Sequence, residues 1–102
     1  MIDIVKAILR SIGIDLEDVT IQRFHEDLGN GLIVPTNDWY MVFTHRYDEI
    51  TIELNKLNTR DSWITLVKNC KGDMVDIHRI ELADITPQAL HKIITYFITK
   101  IV

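Results

Sequence analysis

Residues 38–54 read DWYMVFTHRYDEITIEL, and their alternation decides the fold. Trp39, Met41, Phe43 and His45 fall on one parity and Tyr40, Val42 and Thr44 on the other, as successive side chains of a strand do. Across a short polar break at 47–49 the pattern resumes, with Ile50, Ile52 and Leu54 opposing Thr51, Glu53 and Asn55. A turn this short joins antiparallel neighbours, because a parallel crossover needs a dozen residues or more.

The same period of two extends outward from this hairpin. It predicts strands at 19–24, 32–34, 39–46, 50–57, 62–70 and 74–82, rich in β-branched and aromatic residues. The breaks are GNG at 29–31, PTND at 35–38, YDE at 47–49, NTRD at 58–61 and KGD at 71–73, all built from turn formers. In the last strand Val75 and Ile77 sit on one parity and Ile80 and Leu82 on the other, which calls for a bulge near His78-Arg79.

Helical spacing frames the strands. Met1, Ile4, Val5, Ile8, Leu9 and Ile12 recur on one helical face and Gly13 follows, predicting a helix over 2–12. Thr86-Pro87 supplies a cap and a first-turn proline, and Leu90, Ile93, Ile94, Phe97, Ile98 and Ile101 repeat the template, predicting a helix over 87–101. Each helix is apolar on one stripe and must lie against something. The expected fold is α+β: one domain over 1–102, an antiparallel meander of five or six strands, with both helices packed on one face.

With 102 residues, 47% hydrophobic and 25% charged, the chain has ordinary globular composition. Its single Cys70 precludes an internal disulfide, so a reducing, cytoplasmic setting is expected. Asp3, Lys6 and Arg10 interrupt the N-terminal apolar run, unlike a signal peptide. No apolar run approaches the roughly 20 residues of a membrane span. The net charge is −4 and the 11 Lys and Arg are scattered singly, which argues against direct nucleic-acid binding. Frequent Ile with scarce Gly and Pro fits AT-rich coding, as in many bacteria and phages.

Catalytic chemistry finds little support. His25, His45, His78, His91 and Cys70 are the candidate metal ligands, yet no paired ligand spacing occurs. Only His25 with Asp27 and Asp76 with His78 share a face locally. His45 reads as the polar end of a core stripe at a strand terminus. Cys70 beside the KGD turn is a poor nucleophile site, and no G-x-S-x-G elbow or phosphate loop is present. In Asp48…ELNK, Glu53 and Lys56 fall on opposite faces, which defeats a nuclease-like E-x-K arrangement.

Acidic residues cluster instead, in DLED at 15–18, HED at 25–27, and Asp73, Asp76, Glu81 and Asp84, and they favour a partner with a basic surface. Aromatic rings suit binding: Trp39-Tyr40 puts rings on both faces of one strand and Trp63 lies on the less apolar parity of another, so a sheet face without helices is expected to display large rings. The expected partner-binding residues are Trp39, Tyr40, Trp63, Glu53 and Asp76, with no cofactor. The apolar ending Ile101-Val102 favours a homodimer or partner contact. The expected function is non-enzymatic protein binding, as in an inhibitor, an immunity-type protein or a phage-encoded antagonist of a host enzyme. The alternatives are a metal-dependent enzyme using His25, His45, His78 and nearby carboxylates, and a secretion chaperone or structural subunit of an assembly.

Overall fold

A computed structural model describes residues 1–56 and 61–101. Helix α1 (Ile2–Ser11) ends as Gly13 enters the left-handed region at φ +85°. The Gly13 N–H then donates to the Arg10 carbonyl and the Ile14 N–H to the Leu9 carbonyl, both at 3.0 Å, which satisfies carbonyls the helix leaves open. Asp15 of the DLED run accepts from the Glu17 N–H at 3.0 Å and starts a short 3₁₀ turn at Leu16–Asp18.

Five strands follow: β1 (Thr20–Asp27), β2 (Ile33–His45), β3 (Asp48–Lys56), β4 (Ser62–Cys70) and β5 (Asp73–Glu81). Each pairs antiparallel with its neighbour in sequence, giving the order β1-β2-β3-β4-β5. The expected meander is therefore present with five strands. Expected strand residue Leu57 and most of the NTRD break lie outside the described residues.

The turns follow from backbone chemistry. Arg46-Tyr47 and Lys71-Gly72 take positive φ at both central positions, the geometry that matches the twist of a two-residue hairpin. Tyr47 holds φ +75° without being glycine and is 95% exposed. At GNG, Gly29, Asn30 and Gly31 all have positive φ, and Asp27 Oδ1 accepts from the Gly29 N–H at 2.8 Å.

Two expectations about strand breaks are corrected. PTND does not end a strand; β2 runs through it. Between the pairs Arg23↔Trp39 and His25↔Pro35, Phe24 alone opposes residues 36–38. This bulge closes on itself: the Thr36 hydroxyl donates to the Phe24 carbonyl at 2.9 Å and accepts from the Asp38 N–H at 3.1 Å. Turn-forming side chains serve equally well in a bulge, because both need local side-chain to backbone bonds. The bulge expected near His78-Arg79 lies elsewhere. Pairing is regular from Trp63↔Glu81 to Lys68↔Asp76 and shifts only then, to Asn69↔Met74, so Val75 is the extra residue.

Helix α2 (Pro87–Thr99) begins where expected, with the Thr86 side chain accepting from the Ala89 N–H at 3.1 Å. It stops short of residue 101 because Lys100 turns into extended backbone at φ −67°, ψ 147°. Both helices cover one face. Val5, Ile8 and Leu9 of α1 and Leu90, Ile94, Phe97 and Ile98 of α2 join Trp39, Met41, Phe43, Ile50, Ile52, Leu54, Ile64, Leu66 and Ile80 in one core. The helices also touch each other, and Ser11 Oγ lies 2.9 Å from His91 Nε2. Among the described residues no helix is long and apolar enough to cross a membrane.

Candidate functional site

Because facing residues of antiparallel neighbours share a face, the register defines what the helices leave uncovered. Tyr40, Glu53, Thr65 and Arg79 lie in one row across β2 to β5, and Asn55, Trp63 and Glu81 in the next. Val42, Thr51, Val67 and Ile77 form the row beyond.

This face is ordered by side-chain contacts. The Arg79 guanidinium sits 4.1 Å from the Trp63 ring centroid and its Nε donates to Glu81 Oε1 at 2.9 Å. Stacking and an ion pair together fix a side chain that either alone would leave mobile. Tyr40 packs against Phe24 with ring centroids 5.1 Å apart, and its hydroxyl bonds Gln22 Oε1. Asn55 Nδ2 donates to Glu53 Oε2 at 3.4 Å. With Glu49 on the same parity as Thr51, β3 to β5 bring three carboxylates and one guanidinium to this face among the described residues.

Of the five residues expected to bind a partner, Tyr40, Glu53 and Trp63 share this face. Trp39 and Asp76 do not. Trp39 keeps the parity of Met41 and Phe43, so its indole belongs to the core and is 5% exposed. Asp76 pairs with Lys68 on the helix-covered face, where its carboxylate forms an ion pair with Lys100.

That ion pair belongs to a charged cluster at the C-terminal end of α2, centred on Lys68. Sharing parity with Ile64 and Leu66, Lys68 is 1% exposed. Its Nζ donates to the Lys100 carbonyl at 3.0 Å and lies 5.4 Å from the Phe97 ring centroid. Burial lowers the pKa of the ammonium from the usual lysine value; Lys100 and Arg46 add to the effect, while Asp48 and Asp76 oppose it. The Lys100 contact holds the Asp76 carboxyl below its usual value, helped by the Ile77 N–H and the Lys68 charge. Half-buried His45 borders the cluster, its pKa lowered by burial and then by Arg46 and Lys68. Lys68 therefore acts on structure: its ammonium caps a helix end whose carbonyls favour positive charge.

The histidines do not assemble. His25 lies exposed on β1, His78 on β5 at the opposite edge of the sheet, and His45 at the end of β2. Among the described residues, no three His, Cys, Asp or Glu side chains are grouped to hold a metal ion. Comparison of the chain with protein-family models, curated proteins and solved structures finds no match.

Proposed function

We propose that this chain is a non-enzymatic, cytoplasmic protein-binding domain that recognises a partner through the helix-free face of its sheet, centred on Trp63, Tyr40 and Glu53. The observation that carries the reading is the pairing of two large rings with an excess of carboxylate on one uncovered face. Aromatic and arginine side chains dominate interface hot spots, and the carboxylates favour a basic partner surface. An inhibitor, an immunity-type protein or a phage-encoded antagonist of a host enzyme would each use such a face.

The test is affinity capture from source-cell lysate. Wild-type protein is expected to recover a specific partner, and Trp63→Ala with Tyr40→Ala to weaken its binding about 30-fold, the size of one strong hot spot. Trp39→Ala is unsuitable because emptying that core position costs about 3–5 kcal/mol. Retention of the same partner with unchanged affinity by the double variant refutes the assignment. Exposed Ile101, Met74 and Ile77 support a homodimer as the competing occupant of apolar surface, and light scattering separates the two.

A further inference from the structure

The cations that look scattered in the sequence are partly gathered by the fold. At the end of the helix-covered face where α1 begins, a depression of about 670 Å³ opens between α1 and the ends of the strands. Trp39 and Leu54, opposite each other in register, form its floor, and Arg23, Lys56, Asn37 and Ser62 are among its walls. Its size falls in the range of small-molecule sites, and its lining is more polar than apolar, with Trp39 and Leu54 offering only their edges.

Arg23 and Lys56 stand on either side of β2, 33 positions apart in a chain of net charge −4, and neither makes an ion pair among the described residues. No carboxylate lines the depression among those residues. The nearby Asp38 is engaged otherwise, its Oδ1 accepting from the Lys56 backbone N–H at 3.1 Å. Two cations without an ion pair among the described residues, over the edges of an aromatic and an aliphatic side chain and with an amide and a hydroxyl beside them, match a molecule that is anionic at one end and apolar at the other.

We propose that this depression binds a small organic anion, a carboxylate or phosphate ester with a flat apolar body, held by Arg23 and Lys56 above Trp39. The site lies on the opposite face from Trp63 and Tyr40, so it stands or falls independently of the partner-binding reading.

Phenyl phosphate and benzoate serve as anionic probes and benzyl alcohol as the neutral control, followed by amide and indole NMR shifts of the isotope-labelled protein. One or both anions are expected to shift the Trp39 indole and the Arg23, Asn37 and Ser62 amides saturably. Saturation by phenyl phosphate alone identifies a phosphate site, and saturation by both a carboxylate-sized one. The Arg23→Gln, Lys56→Gln double variant, which alters only exposed side chains, is expected to keep the wild-type spectrum and bind about tenfold more weakly. Equal binding of benzyl alcohol, undiminished binding by the double variant, or no saturable shift with either anion overturns the proposal.

Discussion

Replacing Lys68 with methionine deletes the ammonium and keeps an unbranched stem of similar length, so it separates the charge from the packing. The lost charge-assisted hydrogen bond to the Lys100 carbonyl is worth about 1.5–3 kcal/mol. The lost approach to the Phe97 ring adds about 0.5–2 kcal/mol. Against these stands the relief of burying an ion, which amounts to several kcal/mol. The two sides cancel to within about 1 kcal/mol, so Lys68→Met is expected to melt within about 8 °C of wild type. Lys68→Ala removes the stem as well and is expected to fall a further 2–5 kcal/mol. Chemical denaturation at several pH values adds a second readout. The folded pKa of Lys68 lies below its ordinary value of 10.5, so between the two the unfolded chain holds more protons and wild-type stability rises with pH. Lys68→Met lacks that gain, and the difference must shift in favour of wild type as pH approaches 10.5. Equal destabilisation by methionine and alanine, or a difference that does not change with pH, would refute this account.

Asp76 titrates with the opposite sign. Its folded pKa lies below the ordinary 3.8, so its contribution is complete above that value and is lost as pH falls through the folded pKa. Asp76→Asn is expected to lower stability by about 1–3 kcal/mol at neutral pH by leaving Lys100 without its partner, and to flatten the acid limb of an unfolding titration. Thr86→Ala removes the acceptor for the Ala89 N–H and is expected to cost about 1 kcal/mol, or about 4–8 °C in Tm by calorimetry.

Long, repetitive patterns carried the fold. The hairpin of Trp39–Leu54, the Thr86-Pro87 start of α2 and the Gly13 end of α1 were legible because each is specified by its own neighbours. The bulges were not, since PTND spells a turn and a bulge in the same residues, and only pairing with Phe24 distinguishes them. Trp39 shares the parity of Met41 and Phe43, yet its ring was expected at a binding surface, because a large ring suits an interface as well as a core and only the helices show which face is covered. The burial of Lys68 was not legible either, since it depends on the end of α2 lying over the parity of Ile64 and Leu66. Arg23 and Lys56 carried no signal. Their neighbourhood exists only through the register of three strands, which single-chain spacing does not encode.

The placement of the two helices also bears on how the chain is made. The strands can zip up hairpin by hairpin as they emerge, but the covering layer is completed only when α2 reaches α1, joined across 80 positions by Ser11 and His91. Until then α1 alone covers the apolar side of a finished sheet, and the part beneath α2 stays open to water. At roughly 5–20 residues per second, a nascent chain spends seconds in that state, an interval in which a ribosome-associated chaperone has a continuous greasy surface to hold.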